Sequence, residues 1–105
     1  MIRAAGAVAL ALAAACGGGG AAPRRHVIEI SAFQYQPQTV EARAGDTIVW
    51  INRDVVPHTA TDRGSGWDTG SMAAGAQASV VVERPGSYAY VCAFHPNMGA
   101  TLAVR

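Results

Sequence analysis

The sequence of 105 residues contains no lysine, and its positive and negative charges nearly cancel. Eight arginines face seven aspartates and glutamates, and without Arg3, which lies in the N-terminal segment, the balance is seven against seven. A nucleic-acid-binding protein is expected to show a basic excess, so this balance argues against that class. Long-range electrostatic steering of partners is also expected to be weak, which leaves apolar contact as the expected basis of recognition.

The sequence also has no long hydrophobic run. Residues 4–15 are apolar, but this run of twelve is too short for a helix that crosses a bilayer. A run of this length after Arg3 is typical of the hydrophobic part of a secretory signal. We therefore predict a signal peptide at residues 1–15 and an exported mature protein, either periplasmic or a membrane-anchored lipoprotein that faces away from the cytoplasm.

Two cleavage points fit this signal. Signal peptidase would cut after the alanine run 13–15, whereas a lipoprotein peptidase would cut before Cys16 and leave it acylated. The second is favoured because Cys16 follows small residues and precedes four glycines that form a flexible spacer. The motif is imperfect, since a bacterial lipobox has leucine three residues before the cysteine and Leu12 lies four before it. Residues 16–25 are predicted to be a glycine-rich leader in which Cys16 is a candidate lipid anchor, the one expected contact with a membrane.

Only two cysteines are present, Cys16 and Cys92. A disulfide between them would place one partner on the glycine-rich leader and would occupy the thiol of Cys92. We therefore expect no disulfide in the mature domain.

No stretch of helical periodicity is long enough to predict a helix, and residues 26–105 show the pattern of a single β domain. Short β-branched and aromatic runs alternate with turn signals such as Pro85-Gly86. We predict an all-β fold, a Greek-key β-sandwich of about seven to eight strands, antiparallel or mixed. The runs that predict strands are residues 26–31, 39–43, 46–52, 77–83, 87–92 and 100–104.

Alternation within one predicted strand places Tyr88, Tyr90 and Cys92 on the same face. Residues 62–75 are rich in glycine and serine and are predicted to form an irregular loop. Trp67 in this loop either packs against the sandwich or belongs to a partner surface. Packing is favoured because tryptophan is highly buried on average.

The last fifteen or so residues contain a pattern typical of a metal site. Cys92, His95 and Met98 have C-x-x-H-x-x-M spacing, and His58 lies thirty-four positions before Cys92, just past the predicted strand 46–52. Thiolate and thioether ligands favour Cu(I), imidazole accepts both copper oxidation states, and two His, one Cys and a weak axial Met form the blue-copper set. Cysteine and methionine as plain core residues would leave this spacing unexplained. We predict one type 1 copper per chain, bound by these four residues.

The remaining polar residues give no second metal site and no catalytic group. His26 follows Arg24 and Arg25, with only Glu29 close by, and is interpreted as a surface residue. Asp54 is interpreted as a solvated loop charge. A copper enzyme would need three further histidines and an open position for substrate, so we predict that the chain is not an enzyme.

The proposed ligands and the segments around them resemble those of the cupredoxins, and among them the amicyanins, which are close to plastocyanin and pseudoazurin. Two residues between His95 and Met98 correspond to the short ligand loop of amicyanins, whereas plastocyanin and pseudoazurin usually have four. The resemblance implies a cupredoxin fold and a monomer that carries single electrons between a donor and an acceptor outside the cytoplasm. The segments that carry it are residues 46–58, Pro85-Gly86 with Tyr88-Ala89-Tyr90, and residues 92–98.

Two positions depart from the family pattern. Many members have Asn directly after the first histidine, where it ties the two ligand loops together. Here that residue is Thr59, whose hydroxyl is still expected to bridge the loops, although with less reach. Amicyanins typically have Pro at the position of Phe94, and the backbone N–H of Phe94 is expected to point at the Cys92 sulfur. This predicts a reduction potential above that of a Phe94→Pro variant.

The family also implies where redox partners bind. The ring edge of the second histidine, His95, is expected to reach the surface through an apolar patch formed by Val56, Pro57, Phe94 and Pro96. The alternative for Val56 and Pro57 is that they pack the loops together.

A copper chaperone or storage protein is the alternative function. Such a protein hands over its metal and tends to use exposed Met or Cys pairs. This sequence has a single Cys in a stiff loop and no Met-rich run, so the electron carrier is favoured.

Overall fold

The structure is a computed structural model, and it describes residues 22–105. The predicted signal peptide, Cys16 and the glycines after it lie outside the described residues, so their predictions stay untested. No helix in the described part is long and apolar enough to cross a membrane.

Residues 22–105 form eight β-strands and no helix. The frequent turns and short β-branched runs of this part of the sequence account for strands of two to ten residues. The strands are β1 (Arg25–Ser31), β2 (Gln34–Gln36), β3 (Thr39–Ala42), β4 (Thr47–Asn52), β5 (Thr61–Asp62), β6 (Gln77–Val81), β7 (Gly86–Cys92) and β8 (His95–Val104).

The strands make two four-stranded sheets with the orders β2-β1-β4-β6 and β3-β8-β7-β5. Each sheet is mixed, because β1 pairs with β4 and β3 pairs with β8 in parallel, whereas the other pairs are antiparallel. The predicted all-β sandwich is therefore confirmed. The middle of β4 is buried on both faces, which explains its continuous run of apolar side chains.

The core between the sheets contains a group of aromatic rings. Trp50 is fully buried, its indole N–H donates to the Tyr90 hydroxyl at 3.2 Å, and its ring centroid lies 5.5 Å from that of Tyr90. The Trp67 ring lies 5.3 Å from Trp50 and 5.4 Å from Tyr90, so Trp67 packs against the sandwich as expected. Burial raises the pKa of Tyr90 to about 12, so its hydroxyl stays protonated.

Several element boundaries differ from the sequence prediction. The short strands β2 and β5 were not predicted, and Asp62 closes β5 instead of beginning a loop. Strand β8 begins at His95, five residues before the predicted start at Ala100. The shared face of β7 is confirmed, since Tyr90 and Cys92 are buried and Ala89 between Tyr88 and Tyr90 is exposed.

A buried carboxylate closes the end of the sandwich where β4 begins. Asp46 accepts the backbone N–H groups of Arg24 and Arg43 and the Nε2–H of His26, at 2.8, 2.9 and 2.8 Å. These hydrogen bonds hold the pKa of the Asp46 carboxyl well below its ordinary value. His26 is therefore less exposed than its interpretation as a surface residue implies, because its side chain is only 22% exposed and is paired with Asp46.

Candidate metal centre

His58 lies at the other end of β4, in the loop that follows Asn52. Its backbone pairs with Met72 through two hydrogen bonds, His58 N–H to Met72 O at 3.1 Å and Met72 N–H to His58 O at 2.8 Å. The His58 side chain is fully buried. A buried imidazole on a paired backbone segment has little freedom to move, which suits a fixed ligand.

Asn52 fixes the loop that leads to His58. Its amide group is buried and donates to the carbonyl oxygens of Val56 and Met72, both at 2.9 Å. Its Oδ1 accepts the backbone N–H of Asp54 at 2.9 Å. One side chain thereby hydrogen-bonds three backbone groups, one of which, Met72 O, also accepts the His58 N–H, so the loop has a defined course.

Cys92, His95 and Met98 lie where β7 passes into β8. Cys92 pairs with His95 across the turn, but the neighbouring pair is Val91 with Gly99, so three extra residues bulge from β8. Bulges of this kind re-aim side chains next to functional sites. Cys92 is fully buried and Met98 is 5% exposed, and both belong to the core cluster, whereas His95 is half-buried.

The structure brings the two predicted ligand loops together. The Nδ1 atom of His58 lies 3.7 Å from the Sγ atom of Cys92, and the ring centroids of His58 and His95 are 5.3 Å apart. A metal bound at about 2.0 Å to nitrogen and 2.3 Å to sulfur, as in zinc proteins, would separate such atoms by about 3.5 Å. The spacing of these two donors therefore fits a shared metal ion.

The four predicted ligands are not already arranged around a single metal position. Among residues 22–105, no group of three or more His, Cys, Asp or Glu side chains is already arranged to hold a metal ion. The fourth predicted ligand, Met98, is buried in the same cluster as Cys92. Binding a metal at all four residues requires a further shift of one or more side chains.

Thr59 connects the two ligand loops. Its backbone N–H donates to the Sγ atom of Cys92 at 3.3 Å, and its Oγ1 accepts the backbone N–H of Ala93 at 2.8 Å. The same Oγ1 lies 2.8 Å from the hydroxyl of Thr61. The expected bridge by a hydroxyl is therefore present.

Among the described residues, Thr59 N–H donates to the Cys92 sulfur and Phe94 N–H does not. The expected contact of Phe94 was therefore wrong. The tight turn from Cys92 to His95 is tied to Thr59 through Ala93, and the sulfur takes its hydrogen bond from the Thr59 N–H. The contacts therefore do not support the predicted effect of Phe94→Pro on the reduction potential.

Asp54 contacts the site, and its interpretation as a solvated loop charge was wrong. The Nε2–H of His58 donates to its Oδ2 atom at 2.8 Å, and the side chain of Asp54 is only 13% exposed. Desolvation acts to raise the pKa of the Asp54 carboxyl, but hydrogen bonds from Phe33 N–H, the His58 ring and Ala32 N–H outweigh it and hold the pKa below its ordinary value.

Phe33 was missed as a residue of this site. It lies between β1 and β2, and its ring makes edge contacts with His58 and His95 at centroid distances of 5.1 and 4.9 Å. No spacing in the sequence links Phe33 to either histidine, whereas Asp54 could have been found as a carboxylate four residues before His58.

The surface around His95 is apolar. Phe94 is 52% exposed and Phe33 is 48% exposed, while Pro57 and Pro96 are also exposed. Val56, which was predicted to belong to this patch, is half-buried, and its neighbour Val55 is the exposed valine at 90%. We refer to Phe33, Pro57, Phe94 and Pro96 as the apolar surface.

Comparison with known proteins identifies the class to which this fold and donor set belong. The pattern of copper binding proteins, plastocyanin/azurin family, matches residues 24–105. The chain therefore belongs to this family and is a cupredoxin, as the sequence predicted.

Its relatives include several amicyanins. The chain is 32% identical over 84 residues to amicyanin from Paracoccus denitrificans, covering 75% of this chain and 64% of that protein. It is 30% identical over 83 residues to amicyanin-alpha from Methylorubrum extorquens, covering 74% of this chain and 70% of the relative. Similarity to the amicyanins is thereby confirmed.

Solved structures agree with the sequence relatives. A Met-to-Ala variant of amicyanin in the Cu(I) form has a TM-score of 0.72 and 26% identity, over 77% of this chain and 82% of that one. A purple cupredoxin from Nitrosopumilus maritimus has a TM-score of 0.70 and 26% identity, over 76% of this chain and 99% of that one. A copper-containing nitrite reductase from Thermus scotoductus, at 21% identity and 23% of its length, shows the shared fold alone.

Proposed function

We propose that this protein is a type 1 blue copper electron-transfer protein that cycles between Cu(II) and Cu(I), with one copper per chain. His58, Cys92, His95 and Met98 are the proposed ligands. The observation that carries the proposal is the 3.7 Å approach of His58 Nδ1 to the buried Sγ of Cys92, in a chain of a copper-binding family. Copper held by two imidazoles, a thiolate and a weak thioether exchanges single electrons with little change of ligand geometry.

The surrounding residues keep the ligands in place and exclude water. His58 and Cys92 are fully buried, and Asn52 ties the His58 loop, through Val56 O, to the paired segment at Met72 O. The Thr59 N–H donates to the Cys92 sulfur, which removes electron density from the thiolate and favours the reduced state. Ligands that barely move are what a carrier needs, because each transfer then requires little reorganisation.

The proposed docking region for the electron donor and acceptor is the apolar surface next to His95. Its exposed rings and prolines agree with the near balance of positive and negative charge in the sequence, which leaves apolar contact as the basis of recognition. A weak and short-lived complex needs little buried area. His95 would then lie between the metal and the partner. The protein is proposed to act as a monomer outside the cytoplasm, and membrane attachment would depend on Cys16.

A carrier is proposed in preference to an enzyme because the remaining histidine does not approach the site. His26 is paired with Asp46 at the far end of β4, away from His58. The described residues therefore offer no second set of three histidines for a substrate-binding copper.

The alternative, a copper chaperone or storage protein, predicts ligands that exchange readily. The complete burial of Cys92 and His58 opposes ligand exchange with a target protein. Two measurements on the copper-loaded protein separate these functions. A carrier should give reversible one-electron voltammetry and should release Cu(I) slowly to a chelator in solution. Rapid and complete transfer of Cu(I) to the chelator, without a reversible wave, would instead support the chaperone.

A further inference from the structure

One carboxylate, Asp54, receives three hydrogen bonds from two separate parts of the chain. Its Oδ1 accepts the backbone N–H of Ala32 at 2.7 Å, and its Oδ2 accepts the backbone N–H of Phe33 at 2.9 Å. The Nε2–H of His58 donates to the same Oδ2 at 2.8 Å. Asp54 thereby joins the β1–β2 turn to a proposed ligand that lies more than twenty residues further along the chain.

For His58, the contact with Asp54 selects one tautomer of the neutral imidazole. A carboxylate accepts hydrogen bonds only, so the ring proton of neutral His58 lies on Nε2, and Nδ1 carries the free electron pair. Nδ1 is the atom that faces the Cys92 sulfur at 3.7 Å. Asp54 therefore favours the tautomer of neutral His58 in which Nδ1 is free to bind a metal.

For Phe33, the contact fixes an unusual backbone. Ala32 and Phe33 have φ values of 53° and 58°, in the left-handed region that residues other than glycine seldom adopt. The two successive N–H groups of this turn converge on Asp54, which compensates a conformation that is unfavourable by itself. The result is that the Phe33 ring stands edge-on to both His58 and His95.

We propose that Asp54 is a positioning residue of the copper site: it holds His58 in the form that binds through Nδ1, keeps Phe33 against the two histidines, and lowers the reduction potential. The effect on the potential rests on the proposed function. It follows because a carboxylate partner makes imidazole a stronger donor, and its negative charge favours Cu(II) over Cu(I).

The variant Asp54→Asn tests this role, because an amide has one acceptor oxygen and one NH₂ group. It cannot accept all the hydrogen bonds that the two carboxylate oxygens accept now. Asp62→Asn is the matched control. The Asp62 carboxylate accepts the backbone N–H groups of Gly64 and Gly66 at 3.0 and 2.9 Å and contacts no histidine.

Two measurements are made on the metal-free full chain by NMR, at a pH of about 8, above the ordinary pKa of free imidazole. In the wild type, the ring nitrogen shifts should show His58 protonated on Nε2, and Asp54→Asn should add a measurable Nδ1–H population. Hydrogen exchange at Ala32 and Phe33 should become roughly tenfold faster in Asp54→Asn, as expected for the loss of one good hydrogen bond. Asp62→Asn should change neither observable.

The third measurement is the reduction potential of the copper-loaded proteins, which should rise in Asp54→Asn and stay unchanged in Asp62→Asn. A wild-type His58 protonated on Nδ1 would overturn the proposal without any variant, even if Asp54→Asn does not fold. Unchanged exchange, ring form and potential in Asp54→Asn would also overturn it. Failure of the wild type to bind copper would instead contradict the proposed function, and the NMR results would still decide the positioning role.

Discussion

At the scale of single residues, Thr59 contacts the ligand sulfur and the chain that follows it. Its backbone N–H donates to Cys92, whereas its hydroxyl accepts from the backbone of Ala93. The two contacts belong to different groups of one residue, so they can be removed separately. A side-chain substitution changes only the second.

The variant Thr59→Val keeps the branched shape and removes the hydroxyl. It should lower the free energy of unfolding by about 1 kcal/mol, because the Ala93 N–H and the Thr61 hydroxyl each lose a partner. Urea denaturation of the copper-loaded protein measures the change. Visible absorption from Cu(II)–thiolate should persist, since the backbone donor to Cys92 remains. Thr59→Ser is the control and should restore most of the loss; equal stability of Thr59→Val and the wild type would contradict the bridging role.

The residues proposed as ligands could be predicted from chemistry and spacing alone, but the residues that contact and position them could not. Cys92, His95 and Met98 are close in sequence, and soft donors of this kind are informative without coordinates. Phe33 comes from a different hairpin, and its distance from His58 depends on how β1, β2 and β4 pair. Asp54 is near His58 in sequence, yet only the coordinates show that its carboxylate faces the ring.

At the scale of elements, the turn between β3 and β4 depends on one glycine. Gly45 has φ of +99°, and a Cβ added there would meet no atom within 4 Å. Its N–H donates to Val82 O at 2.7 Å, which ties the turn to the segment after β6. The requirement for glycine is therefore conformational and not steric.

The substitution Gly45→Ala should destabilise the fold by about 1–2 kcal/mol, because a side chain disfavours positive φ. Gly64→Ala is the matched control, since Gly64 has no positive φ and its added Cβ would lie 3.6 Å from Asp62, an ordinary contact. That change should stay within about 0.5 kcal/mol. Chemical denaturation measures both variants, and an equal effect at the two positions would rule out backbone conformation as the cause.

Strands with strong side-chain patterns were predictable, and short or irregular ones were not. Strand β4 is a continuous β-branched and aromatic run, and β7 alternates clearly, so both were predicted close to their observed bounds. Strand β2 has three residues with a single buried side chain, Tyr35, and owes its existence to pairing with β1. The first part of β8 contains Pro96 and the bulge, which hide a strand from pattern analysis.

At the scale of the whole molecule, the two ends of the sandwich have different polar chemistry. One end contains the proposed metal ligands, and the other is closed by Asp46 with its three hydrogen bonds. Because these bonds hold the pKa of Asp46 below its ordinary value, folding is linked to the ionised form of this group.

The pKa of the Asp46 carboxyl in the unfolded chain is about 3.9. The stability supplied by Asp46 should therefore be fully present above that pH and should be lost as the pH falls from it toward the lower pKa of the folded protein. The sign follows because the unfolded state takes up a proton at a higher pH than the folded state does. Denaturation of the metal-free wild type and Asp46→Asn should show a stability difference that is constant near pH 5 to 6 and shrinks below about pH 4. A difference that grew on acidification would contradict this account.

The fold brings His58 Nδ1 to within 3.7 Å of the Cys92 sulfur, and we propose that this pair binds copper. Titration of the metal-free protein with Cu(II), followed by visible absorption, tests it most directly. We expect an intense Cu(II)–thiolate band that saturates at one copper per chain, is absent in Cys92→Ser, and is retained in the control His26→Ala. A wild-type protein without this band, or a Cys92→Ser variant that keeps it, would contradict copper binding through Cys92.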